Sequence, residues 1–413
     1  MGRSNEYLMK ILYIAPIDLK PGASAGAETI NIYIDELSKK ENEIYVVSLS
    51  DGRTRRSNIE YINIDVLKKY TANNNFLKTL GWILFPSNPY LYKTSWQVRK
   101  CITEKILPLN DEGIDVVVLE TASAYLLWKI VKKLFPNAVL VASVHDIAYQ
   151  GSYRKMALER SKLKLLIRNR YCKNAKRIEV DALKHMDLIM PHNKDNIDIL
   201  RENIEIKNKK YFPLVPYYET GFDHDNCTKS YDILFYGLMS RPENYESVIW
   251  FLDNVFDKIA DKFRLIIMGG NPPESIVRRA SKRIIVTGFV DNETVKKYYE
   301  NCFCMVVPLL YGSGIKTKVL SALHAGLPVL TNDLGIEGIP AKDGQDYLHC
   351  DSVDDYVEKL NLLAADRIKY KKICNNARKV TERGYNHDEC AKRLEIILLD
   401  LINNDRRNYC EGK

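Results

Sequence analysis

Gly312-Ser313-Gly314 stands just ahead of Lys316 and Lys318, in the stretch YGSGIKTKVLSALHAGLPVL that runs from residue 311 to 330. Glycines lack a Cβ, so backbone N–H groups there can turn toward a ligand, and a helix beginning at that point adds its own unpaired amides. Lysines at a helix start are repelled by the positive end of the dipole unless an anion neutralises them. This order of residues therefore points to the gripping of phosphate, with Ser313, Gly314 and Lys316 as candidate ligands.

Three further stretches carry residue types with related chemistry. In PGASAGAET (21–29) glycine and alanine lead into a helical pattern, so Gly26 and Ala27 would let a ligand approach the backbone closely; a plain flexible loop is the alternative. His145-Asp146 follows the apolar run AVLVASV. The histidine could donate to a sugar hydroxyl or a developing charge, and the aspartate could orient the ring or cap the next helix, with a purely structural pair as the alternative. In GIEGIPA (335–341) Glu337 sits between two glycines, where a carboxylate can accept from vicinal hydroxyls of a sugar or ribose or serve as a turn residue. Asp223-His224-Asp225 formally matches a cation-holding DxD pattern but lies in a polar stretch and not after a strand. It reads as loop, and no metal or other cofactor is expected.

Short apolar runs alternating with helical patterns must position these residues. KILYIAP (10–16), IYVVSLS (44–50), DVVVLE (115–120), AVLVASVHD (138–146) and DLIMP (187–191) form a first series; DILFYG (232–237), FRLIIMGG (263–270), RIIVTGFV (283–290), FCMVVPLL (303–310) and LPVLTN (327–332) form a second. Helices are expected over 29–40 and 248–256, and a closing one over 390–402 with Leu394, Ile397, Leu398 and Leu401 in one stripe. Continuous apolarity in DVVVLE predicts strands covered on both faces, hence α/β domains with doubly wound parallel sheets. The expected organisation is an N-terminal Rossmann-like domain over 9–218, a linker over 219–231, a C-terminal Rossmann-like domain over 232–389, and a last helix packing back across the domains.

Length and composition agree with this layout. The chain has 413 residues, a natural size for two domains, and 46% hydrophobic with 28% charged residues describes a well-packed globular protein. Its nine cysteines include no CxxC pair, which argues against a zinc site or a disulfide scaffold and for a reducing compartment. No signal peptide or membrane span is read, so a cytoplasmic location is expected. The net charge of +8 permits a nucleic-acid partner without demanding one, and no basic groove interleaved with aromatics is visible, so none is expected. Residues 152–177 concentrate the excess, with ten Lys or Arg against the single acid Glu159. They could form a solvated helix face or meet an anionic surface at the inner face of the plasma membrane.

Taken together, these residues resemble the retaining glycosyltransferases of the GT-B fold known as glycosyl transferases group 1, or family 4. The likeness is carried by FYGLMSRPENYESVIWFLDNVF, MGG, TGFVDNETVKKYYENCFCMVVPL and GSGIKTKVLSALHAGLPVLTNDLGIEG, and in the first half by the glycine loop with its helix and by VHD. It implies two Rossmann-like domains facing across a cleft, the first binding the acceptor and the second a nucleotide-sugar donor. It further implies that Gly26 and Ala27 lie beside the donor phosphates, that His145 faces the transferred sugar, and that Lys316 helps bind the diphosphate, with Arg241 standing for the family's basic pair and Gly237, Ser313, Gly314, Ser321 and Glu337 as the other candidate donor-binding residues. The family's paired glutamates fall here on Ser313 and Ser321, so neither carboxylate is present.

The function expected on this basis is transfer of a sugar, with retention, from a nucleotide sugar to a saccharide or lipid-linked acceptor in surface polysaccharide or glycoconjugate synthesis. FLKTLGWILFPSNPYLY (76–92) and the basic segment are the candidate acceptor elements. A sugar-nucleotide epimerase, a non-catalytic nucleotide-binding or scaffold relative, and a transferase acting on nucleic acid are the rivals.

Overall fold

The structure, a computed structural model, describes residues 7–64, 96–157, 161–228 and 230–411. The 76–92 stretch named above lies outside the described residues. The chain divides into two compact units: Met1–Tyr217 with His387–Lys413, and Tyr218–Asn386.

The first unit is built on seven parallel strands: β1 (Lys10–Ala15), β2 (Glu43–Ser48), β3 (Ile59–Asn63), β4 (Val116–Glu120), β5 (Val139–Val144), β6 (Leu188–Pro191) and β7 (Lys210–Tyr211), in the order β3-β2-β1-β4-β5-β6-β7. Every residue of β4 and β5 is buried, as expected of central strands covered by helices on both faces. The second unit repeats the plan with β8 (Asp232–Tyr236), β9 (Arg264–Met268), β10 (Ile284–Gly288), β11 (Cys304–Val307), β12 (Val329–Thr331) and β13 (Leu348–His349), in the order β10-β9-β8-β11-β12-β13. Each unit has its own apolar core beneath its sheet.

In both sheets the strand order reverses direction between two neighbours, β1 and β4 in the first unit and β8 and β11 in the second. At such a reversal the loops leaving the two strands diverge to opposite faces, and the crevice they open at the carboxyl ends is where α/β proteins take ligands. The glycine loop before Gly26 leaves β1, whereas the 311–316 loop leaves β11.

The ten apolar runs all become strands. Absent from that reading are β3, β7 and β13, which are outer or very short and carry polar residues such as Glu60 and Lys210. Helix bounds differ more. The first helix spans Ala25–Ser38 because Ser24 caps it, its side chain accepting from Ala27 N at 3.1 Å. The next of those read begins at Pro242, a residue suited to a first helical turn, and the last covers His387–Glu411.

The 219–231 segment set down as a linker is laid onto the second unit. His224 N donates to Ala325 O at 2.8 Å and Asp225 N to Glu300 O at 2.9 Å. The closing helix belongs to the first unit, where the Tyr33 hydroxyl meets Cys390 Sγ at 3.1 Å.

Candidate functional site

The second unit gathers most of the cationic candidates. The helix Thr317–Ala325 starts directly after the 311–316 loop and ends on Gly326 in the left-handed region. Lys316 is its N-cap residue and supplies no side-chain cap, so the first-turn amides lack the usual Ser, Thr or Asp oxygen. Gly314 has φ +75 and Gly312 φ +147, values that glycine adopts at little cost, and they let the loop curl round the Lys316 side chain. The Lys316 ammonium reaches the Gly314 carbonyl and lies 3.6 Å from Glu337, itself just beyond β12. Two sequence candidates are thus brought together, and the positive charge of Lys316 is already answered by a carboxylate.

Lys318 is different. Its Nζ donates to Asn244 Oδ1 at 2.9 Å and lies 4.9 Å from the centre of the Phe235 ring. Asn244 is locked for this role, because its amide nitrogen donates to Leu238 O at 2.9 Å and leaves only the oxygen for the lysine. Among the described residues no carboxylate forms an ion pair with Lys318. Burial, then the nearby Lys316 charge, brings its pKa down to about 7, with Arg241 adding to the fall and Glu243 opposing it.

Gly237 closes the loop end of β8 against this cluster. A Cβ there would stand 2.9 Å from the Asn244 amide, and one on Gly269, whose φ is +147, would strike the Gly237 carbonyl at 1.8 Å. Arg241 is exposed at the N-cap of Pro242–Asn254. Ser313 is half-buried in the loop. Ser321 is buried with its hydroxyl engaged, donating to Thr317 O at 2.8 Å and accepting from Glu219 N at 2.9 Å.

In the first unit, Gly26 and His145 do meet. A Cβ on Gly26 would lie 2.8 Å from His145 Nδ1, so only glycine leaves that ring edge its place. Ala27 is buried and its amide is occupied by Ser24, which leaves it no donor for a phosphate. The ring of His145 is held by Glu120 and not through the neighbouring residue suggested for it, Asp146, which is exposed. Glu120 Oε2 lies 2.9 Å from His145 Nε2, within hydrogen-bond distance. His192, 6% exposed, lies beside it with ring centres 4.0 Å apart and planes tilted by 31°, and its own Nε2 meets Ser143 Oγ at 3.0 Å. Burial first, and then the ring of His145 whenever that is protonated, keep the His192 pKa well below the usual range, so His192 is neutral.

Ligand atoms of Glu120, His145 and His192 all lie within 4.8 Å of one another, as do those of the more exposed Asp333, His349 and Asp351. Such a spacing admits a metal, yet the short Glu120–His145 contact has the length of a hydrogen bond. Asp223 of the DxD-like triplet pairs with Arg378 at 2.7 Å, and Asp225 accepts from Cys227 N at 2.8 Å.

Residues 230–366 match the family model described as glycosyl transferases group 1. The fold is GT-B. Sucrose-phosphate synthase from Thermosynechococcus elongatus superposes with a TM-score of 0.74 at 12% identity, over 96% of this chain and 100% of that one. A mutant of S. aureus TarM in complex with fondaparinux, alpha-GlcNAc-glycerol and UDP gives 0.68 at 10% identity, over 96% and 100%. An uncharacterized 44.6 kDa protein in the cps region of Klebsiella pneumoniae is 23% identical over 352 residues, 82% of this chain and 86% of that protein.

The group 1 match covers β8 through β13 and so includes Gly237, Asn244, Lys316, Lys318 and Glu337. Glu120, His192 and Asn244 were missed from the sequence. Glu120 is the last letter of DVVVLE, so the rule that directs attention past strand ends could have found it. The same rule points to His192, the residue directly after β6, whereas Asn244 carries no local signal.

Proposed function

We propose that this protein is a glycosyltransferase that moves a sugar, with retention, from a nucleotide-diphosphate sugar to a saccharide or lipid-linked acceptor in the synthesis of a surface polysaccharide. The observation that carries the reading is Lys318: a cation without a carboxylate partner among the described residues, beside an uncapped helix start in a group 1 domain. A departing diphosphate is the group such a site stabilises, through positive charge and backbone amides. The complex of TarM with UDP and the cps region of the Klebsiella relative lend the donor and the pathway class. Gly237, Arg241, Gly314 and Lys316 surround the phosphates in this reading, Glu337 answers hydroxyls of the donor, and His145 addresses the transferred sugar. No metal takes part.

Thermal denaturation of the purified chain with a panel of nucleotide sugars tests this. A donor at a hundred times its Kd should add about 2.7 kcal/mol of stability and raise Tm by several degrees. If no nucleotide of the panel moves Tm, the reading fails. Ser321, with its hydroxyl engaged in the fold, favours one rival: a nucleotide-binding protein without catalysis. It would show the Tm shift but no sugar transfer.

A lipid-linked acceptor would bring the protein to a membrane surface, although among the described residues no helix is long and apolar enough to cross one. The helix Lys162–Leu183 offers the means: Leu163 is 71% and Leu166 69% exposed, one helical turn apart and flanked by Lys162, Lys164, Arg168 and Arg170. Sedimentation with phosphatidylcholine vesicles should retain the protein only when phosphatidylglycerol is included. Leu163→Glu with Leu166→Glu should weaken that binding roughly tenfold or more, given ~1.5 kcal/mol or more per fully buried leucine.

A further inference from the structure

Glu120 is 2% exposed and placed at the end of β4, beside the strand reversal of the first unit. A buried carboxylate is expensive unless something compensates it, and the imidazole of His145, with Nε2 at 2.9 Å, is what the structure supplies. The backbone that aims it is strained. Thr121, the next residue, has φ +67, a left-handed conformation that costs a β-branched residue roughly 1–2 kcal/mol. Packing alone gives no reason for a carboxylate here, since an apolar residue would fill the space without its desolvation. Strain of this kind gathers where function has set the geometry.

The other sides of the ring are fixed too. His192 covers one face at 4.0 Å and is itself held by Ser143. The Nδ1 and Cε1 edge lies against Gly26, at 2.8 and 3.1 Å from where a Cβ would stand. A carboxylate can only accept, so the proton of a neutral His145 sits on Nε2 and the lone pair on Nδ1.

We propose that Glu120 is a positioning residue for sugar transfer: it holds His145 in the Nε2–H tautomer, so that the Nδ1 edge beside Gly26 accepts a hydrogen bond from a sugar hydroxyl. The inference rests on the glycosyltransferase reading for its hydroxyl ligand. Its geometry stands apart from that reading. His192 is the neutral plate that keeps the ring from turning, and Gly26 is the gap that keeps the edge open.

The test uses the full chain and Glu120→Gln, which preserves shape and removes charge. In wild type, ¹⁵N imidazole spectra should show neutral His145 as one tautomer, Nε2–H. In the variant they should show a mixture, because an amide can present either its oxygen or its NH2. With a donor that the panel identifies, kcat should fall ~10²-fold while KM for donor stays within about threefold. Glu120→Asp, which restores the charge, should recover part of the loss. An Nδ1–H tautomer in wild type would overturn the proposal, as would an unchanged kcat in Glu120→Gln. So would one equivalent of tightly held zinc whose removal abolishes transfer. The spectra need no substrate: if they come out as stated and wild type transfers no sugar, it is the function that falls, not the dyad.

Discussion

Replacing Lys318 with methionine will weaken binding of the donor's nucleoside diphosphate about 30-fold, close to 2 kcal/mol, the middle of the range for a hydrogen bond to a charged group. Methionine keeps the length of the stem and its packing over Phe235, so the loss isolates the ammonium. Lys316→Met should have the smaller effect, because Glu337 already offsets its charge at 3.6 Å. Calorimetric titration with UDP, or whichever diphosphate the panel selects, reads both. Equal losses, or none at Lys318, would remove it from the centre of the site.

The same residue makes binding depend on pH in a definite direction. In the free folded chain Lys318 gives up its proton near pH 7, whereas the unfolded chain holds it to its ordinary 10.5. Between those values the unfolded state binds more protons, so this group makes the free protein more stable as pH rises. A bound diphosphate favours the charged lysine and raises its pKa, so binding takes up a proton. Affinity should therefore fall as pH climbs from 7 to 9, by up to about tenfold per unit, a range in which terminal phosphate ionisation, near pH 6, is already complete. Lys318→Met should flatten the profile, and a wild-type affinity that is constant over that range would contradict the assignment.

Gly26→Ala will reduce sugar transfer ~10²-fold while the chain still folds. The added Cβ meets His145 Nδ1 at 2.8 Å, well inside contact distance, and the ring can retreat only by leaving Glu120. A displacement of about 1 Å in a positioned group can cost that factor in rate. Stability should fall modestly, because the up to ~1 kcal/mol that alanine gains in a helix is set against roughly 1–3 kcal/mol lost when the ring leaves the buried Glu120 carboxylate. A cooperative melt only a few degrees lower would show that the loss of transfer is local to the site. An alanine variant with full kcat would show that the Gly26–His145 contact has no part in transfer.

The strands and the glycine loop at 311–316 were legible because each is encoded locally. A run such as VVVLE can only be buried on both faces, and GSG before a lysine-bearing helix start states its backbone geometry in its own residue types. Partners were less legible. Lys316 and Lys318 look alike in sequence, two positions apart on the same turn, yet one folds back onto Gly314 and Glu337 while the other is held by Asn244, 74 residues earlier. The aspartate next to His145 was the natural guess for its partner, and the one found comes from the adjacent parallel strand, 25 residues away.

The sequence by itself determined two parallel α/β units, the glycine-led helix starts, and the presence of His145 and the lysines after strand ends. Periodicity, turn chemistry and the dipole are properties of neighbouring residues, so they survive without a fold. Only the tertiary structure decided which lysine is left without a carboxylate partner among the described residues and which carboxylate holds the histidine. Those depend on strand order, which brings the ends of β4, β5 and β6 side by side and sets the 311–316 loop beside the end of β8, and side-chain spacing along the chain does not contain it.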